Sequence, residues 1–145
     1  MTVEDAVDGL ARILFAFDTG TRTTNQVTAS LTRAIVSWAI ENGWSARTEA
    51  RIEVPDHGSE RRGFVDVIVA LGADEPCLAI EIDSADKPWS LEKLRYAAAA
   101  GMRPVWVRWG DQDWAADHPD VDVIQLSAPR RPAAGHPDTQ LGLWP

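Results

Sequence analysis

The sequence predicts an α/β protein, an α+β mixed sheet flanked by helices, on three observations. Two amphipathic helical segments come first, three consecutive strand-like segments follow, and a further helix then separates the third strand from a fourth. Hairpin-length connections suit antiparallel strands and a helix-length connection suits a parallel pair, so this order implies both kinds of pairing in one sheet.

Residues 3–17 place Val3, Ala6, Val7, Leu10, Ile13, Leu14 and Phe17 at helical spacing, with Thr2 as N-cap and Gly20 as a stop. A second helix is expected from about Thr24 to Asn42, with Val27, Leu31, Ala34, Ile35, Trp38 and Ala39 on one stripe and Gly43 ending it. Both stripes read as core. From Trp44 to Val54 the period changes to two, which predicts a half-buried strand with Trp44, Ala46, Thr48, Ala50, Ile52 and Val54 facing one way. The run Phe64–Val69 and the run Leu78–Asp83 are the next strands, and the turn-rich Gly72–Pro76 between them predicts a hairpin. Pro88 sits early in a helix expected over residues 88–100, preceded by an acidic cap and closed by Gly101. Pro104–Trp109 and Val121–Leu126 complete the strands. Residues 1–126 are expected to form one domain, and 127–145 a Pro-rich C-terminal tail without apolar period.

A chain of 145 residues, 45% hydrophobic and 25% charged, suits one globular domain. No apolar run approaches the ~20 residues that span a bilayer, the N-terminus lacks a secretory pattern, and the single Cys77 allows no internal disulfide, so a cytoplasmic location is expected. His57, His118 and His136 lie at no zinc-site spacing from it. The net charge of -8 opposes non-specific affinity for phosphates. Against that, Arg47, Arg51, Arg61 and Arg62 cluster near the acidic strands, and local potential outweighs the total.

The acids on those strands are the chemical anomaly. Asp66 interrupts one apolar run, and Glu81 and Asp83 interrupt the next. Side chains alternate along a strand, so Glu81 and Asp83 share a face, and the hairpin brings Asp66 beside Glu81. Repulsion and desolvation raise the pKa of such a group unless a cation neutralises it. Mg²⁺, or Mn²⁺ in its place, suits one or two carboxylates plus waters and substrate phosphates. The competing reading makes these solvent-facing charges on a half-exposed sheet, or caps at strand ends.

The order of elements over residues 24–126, with Asp66 and Ile80-Glu81-Ile82-Asp83 at its centre, resembles the PD-(D/E)XK nuclease superfamily. That resemblance implies a restriction-endonuclease-like core of helix-β-β-β-helix-β with an extra N-terminal helix, and an endonuclease-like hydrolase using magnesium to bind and cut nucleic acid. DNA is the first expectation and RNA the other. By the resemblance, Asp66, Glu81 and the backbone carbonyl of Ile82 hold the metal, with Glu49 or Asp83 completing its shell. The family carries a lysine two positions after the second acid, where this chain has Asp83. The order Glu49, Arg62, Asp66, Glu81, Asp83 is similar to a Glu-x-Asp branch like the very-short-patch-repair endonucleases, and some members move the lysine to the following helix, where Lys93 stands.

Ser90 and Lys93 lie three apart on one helical face, and the lysine stem is long enough to reach back to the carboxylates. Lys87, in the turn, is the alternative amine. Solvated helix lysine and catalytic amine remain competing readings of Lys93. Glu49 shares its strand face with Arg47 and Arg51, so a cross-strand ion pair competes with metal ligation. Arg61 and Arg62 grip phosphate or merely solvate a loop. The seven tryptophans read as core and sheet-packing residues more often than as base-stacking platforms, and Trp89, beside the acids, is the one to test for stacking on a base.

Two other functions stay open. Asp83 at the lysine position and the acidic charge suit a catalytically inactive nuclease-fold protein with a binding or regulatory role. They also suit an acidic partner of the inhibitor or immunity type, engaging a basic target. A homodimer or a protein partner is compatible with each.

Overall fold

The computed structural model describes residues 2–17, 22–52, 63–110, 114 and 118–126. Helix α1 spans Val3–Phe15 and begins at a reciprocal cap: the Thr2 hydroxyl accepts the Asp5 N–H, and the Asp5 carboxylate accepts the Thr2 N–H, each at 3.1 Å. It ends two residues before the periodicity suggests, with Ala16 as C-cap; Gly20 lies outside the described residues. Leu10 and Leu14 are fully buried, each stabilising the fold by roughly 1.5–3 kcal/mol. Ile13 is exposed, because Leu14 takes the inward position beside it. Helix α2, Thr24–Glu41, starts on the same kind of cap, from Thr23 and Gln26. It stops at Gly43, whose φ of +77° favours glycine.

Five strands form one mixed sheet in the order β1-β2-β3-β4-β5. β1 (Ser45–Arg51), β2 (Phe64–Ala70) and β3 (Leu78–Asp83) run antiparallel in sequence, as the short hairpin at Gly72–Pro76 requires. Helix α3 (Pro88–Ala99) crosses to β4 (Arg103–Arg108), which lies parallel to β3, and β5 (Asp122–Gln125) lies parallel to β4. No described helix is long and apolar enough to cross a membrane. The cap of α3 differs from expectation. Lys87 occupies the N-cap with no side-chain cap bond, and no acid caps the helix; Pro88 alone presets its first turn.

Each face of the sheet carries its own core. Val67, Val69, Ile80, Ile82, Val105 and Val107 pack with α1 and α2. Ile68, Ala79 and Trp106 pack with Leu94 and Ala97 of α3.

The β1–β2 ribbon changes faces midway. Trp44 and Ala46 pack on the α1–α2 side, yet Ala50 and Ile52, at the same parity, pack on the α3 side. Likewise Val67 and Val69 face α1–α2 while Val65 faces α3. The alternation expected from Trp44 to Val54 is therefore broken, and Thr48 is exposed; Val54 lies outside the described residues. The cause sits at Glu49, with φ +47°, the one described non-glycine residue at positive φ. Thr48 pairs with Val67 and Ala50 with Val65, so the register passes Glu49 without an inserted residue and sets it opposite Asp66.

Candidate functional site

The β2–β3 ladder ends at Val67 and Ile80. One position further, side chains replace backbone: the Asp66 N–H donates to Glu81 Oε1 at 3.2 Å, and the Ile82 N–H donates to Asp66 Oδ2 at 2.7 Å. The two acids thereby satisfy amides that would otherwise be orphaned where the strands separate. This fixes Asp66 beside Glu81, with one oxygen of each carboxylate engaged and the other left for a ligand.

Lys93, in the second turn of α3, reaches the same place. Its ammonium donates to the Phe64 carbonyl at 2.7 Å and lies 3.2 Å from Glu81 Oε1, with the side chain largely covered. The Trp89 ring is 5.8 Å from that nitrogen. α3 docks on the sheet through Leu94 and Ala97, and Lys93, just before Leu94, is carried to the edge of that contact. Ser90 is buried, and its N–H donates to the Lys87 carbonyl in the first turn.

Asp83 is held apart from that pair. The buried Trp106 indole donates to Asp83 Oδ2 at 2.8 Å, and Lys87 lies 3.5 Å from Oδ1. The Arg108 guanidinium stacks near Trp106 and Trp114, with centroid distances of 5.7 and 4.9 Å. The parallel register aligns Glu81 with Trp106 and Asp83 with Arg108, which is why an indole from β4 reaches an acid on β3.

Burial is the main force on the acids. It pushes Glu81 from 4.5 up to about 8, with Asp66 and then Asp83 adding repulsion and Lys93 opposing. Asp66 is raised too, first by burial; the Ile82 N–H opposes that rise and Asp83 adds to it. The ion pair with Lys93 does not offset desolvation at Glu81, because one amine shared with a backbone carbonyl faces a group of acids.

These side chains line one cleft of about 490 Å³, formed by Asp66, Glu81, Ile82, Asp83, Ser84, Lys87, Trp89, Ser90 and Lys93 on one side. The opposite wall, absent from the sequence-based site, is α2, through Thr24, Asn25, Thr28 and Ala29. Its signal was present as a polar i, i+4, i+8 stripe, Thr24, Thr28 and Thr32, flanking the apolar one. Glu49 is not in this cleft. It lines a neighbouring hollow of about 500 Å³ that also touches Asp66, Thr28 and Thr32. Arg61 and Arg62 lie outside the described residues.

The donor set fits a hard divalent ion with a small protein share: the buried Glu81 and the half-buried Asp66, both with raised pKa, each with one oxygen not engaged among the described residues. Among the described residues no group of three or more His, Cys, Asp or Glu side chains is arranged to hold a metal, since Asp83 is turned to Trp106. Water and a substrate phosphate would have to supply the remaining ligands, which is the usual habit of Mg²⁺. Comparison of the chain with protein-family models, with curated proteins and with solved structures finds no match in any of the three.

Proposed function

We propose that this chain is a metal-dependent nuclease with a restriction-endonuclease-like core, hydrolysing phosphodiester bonds in nucleic acid, with DNA as the first substrate. The observation that carries the reading is the convergence of Asp66, Glu81 and the Lys93 amine in one cleft, from two strands and a helix. Asp66 and Glu81 would hold Mg²⁺ or Mn²⁺. When bound, such an ion polarises the phosphodiester and makes water nucleophilic at neutral pH. Lys93, held by the Phe64 carbonyl, places a positive charge where the phosphate gains negative charge in the transition state. Trp89 and α2 limit the approach of the strand from opposite sides.

The test is cleavage of plasmid DNA, single-stranded DNA and RNA by the purified full chain with Mg²⁺ or Mn²⁺. Asp66→Asn and Glu81→Gln preserve acceptors for the Ile82 and Asp66 amides and are expected to lower cleavage at least ~100-fold with an unchanged circular dichroism spectrum. A folded wild type inert on all three substrates refutes the proposal, and so does cleavage that survives both substitutions.

One feature favours a second reading, that of an inactive nuclease-fold binding module. Asp83 stands at the strand lysine position, locked onto Trp106, while the one amine at the acids is shared with the Phe64 carbonyl. That reading predicts nucleic-acid or protein binding without cleavage, and no heat of Mg²⁺ binding by calorimetry.

A further inference from the structure

We propose that the outward face of α2 is a guide for the substrate's phosphate backbone, a role resting on the nuclease reading above. Three hollows meet on this helix. The cleft at Asp66, the hollow at Glu49 and a third of about 370 Å³ lined by Arg22, Gln26, Ser30 and Arg33 all share Ala29. Although the chain holds 22 acidic residues, none falls between residues 19 and 40. The helix therefore presents hydroxyls to the first two hollows, Arg33 joins Arg22 from just before the helix in the third, and this segment brings no carboxylate to any of them.

Both guanidinium groups are held by neutral partners. Arg33 Nη2 donates to the Ser30 hydroxyl at 3.1 Å, and Arg22 lies 5.7 Å from the Phe17 ring centroid. By contrast, Arg95 and Arg103 are paired with Asp120 and Asp122. Among the described residues no carboxylate pairs with Arg22 or Arg33, which leaves their charge for a polyanion in a protein whose total charge would repel one. Thr24 and Thr28 add hydroxyls along roughly 6 Å of helix, the Thr32 hydroxyl being donated to the Thr28 carbonyl. A strand crossing the acids at Asp66 would run its flanking phosphates along this wall, positioned by contacts that read no base.

The test measures binding separately from cleavage. Fluorescence anisotropy of labelled single-stranded and duplex DNA is followed with the full chain in Ca²⁺ between about 50 and 200 mM salt. The Arg22→Glu/Arg33→Glu double variant changes exposed residues, and its fold is checked by circular dichroism; Arg12→Glu on α1, outside all three hollows, is the control for a single charge reversal elsewhere and is compared with Arg33→Glu alone. The double variant is expected to bind at least tenfold more weakly, with the slope of log affinity against log salt reduced by about 1.4 on single strands or about 1.8 on duplex. The control is expected to keep the wild-type slope. A double variant with the wild-type slope overturns the guide and leaves the nuclease proposal standing. Binding that depends on Arg22 and Arg33, with no cleavage under any metal, supports the guide and overturns the nuclease. Absence of binding by wild type to either DNA at the lowest salt overturns the guide and DNA as the substrate, and cleavage of RNA then decides the nuclease proposal.

Discussion

Raising pH in the absence of divalent ions is predicted to destabilise this protein, and Glu81 sets the size of the effect. Its carboxyl is 3% exposed and pushed from 4.5 to about 8, so between those values the native state keeps a proton that the unfolded chain has lost. Stability then falls with rising pH by about 1.4 kcal/mol per pH unit for one such group. Over a window of about 3.5 pH units the loss reaches at most about 5 kcal/mol, a large fraction of a typical stability of 5–15 kcal/mol. The stabilising share is fully present below pH 4.5 and gone above about 8; Asp66, raised as well, acts in the same direction. Urea unfolding in EDTA across this range measures it, with Glu81→Gln expected to remove most of the slope. At the alkaline end Mg²⁺ is expected to restore stability, since it favours the ionised carboxylates. A wild type whose stability is flat or rises from pH 5 to 8 (about the span of the shift) refutes the reasoning, as does Glu81→Gln with an unchanged slope.

On the nuclease proposal, Lys93→Met is predicted to lower the cleavage rate constant by about 10²–10⁴ while leaving DNA binding within about threefold, because the amine would act at the reacting phosphate; single-turnover kinetics separates the two. Trp106→Phe removes the donor to Asp83 Oδ2, and the buried carboxylate, left with Lys87 at Oδ1, costs about 1–3 kcal/mol beyond the cavity left by the indole. A double-mutant cycle with Asp83→Asn is expected to return at least about 0.5 kcal/mol of coupling, and additivity would refute the bond's importance. Glu49→Gly relieves a residue at φ +47° and is predicted to raise stability by up to about 1 kcal/mol in urea unfolding. A clear destabilisation would mean that the Glu49 side chain contributes more than its backbone conformation costs.

What was legible in the sequence was local. Thr2 and Asp5 mark the start of α1 because a cap requires only a hydroxyl and an acid three residues apart. The Gly72–Pro76 turn was enough to bring Asp66 to Glu81, since a short hairpin leaves few registers. The face change at Glu49 was hidden, because a period-two pattern assumes one backbone conformation throughout and nothing in Thr48-Glu49-Ala50 marks a positive φ. The partnership of Asp83 with Trp106 was also hidden: it depends on the parallel register across the α3 crossover, fixed by packing of Leu94 and Ala97. The same docking decides where Lys93 ends, so its stem length gave a reach and no destination. The hydroxyl face of α2 was visible as a pattern, but only the cleft gives it a role.

The exchange of side chain for backbone bonds at the end of the β2–β3 ladder divides each acid between two tasks. Asp66 Oδ2 and Glu81 Oε1 belong to the scaffold, since they close the seam between two central strands. The remaining oxygens are available to chemistry. Architecture therefore retains these acids whether or not catalysis does, and a lineage that abandoned cleavage would still tend to keep a carboxylate or its amide at both positions. In this molecule the acids serve the seam whatever else they do, and the amine of Lys93 is likewise shared with the Phe64 carbonyl.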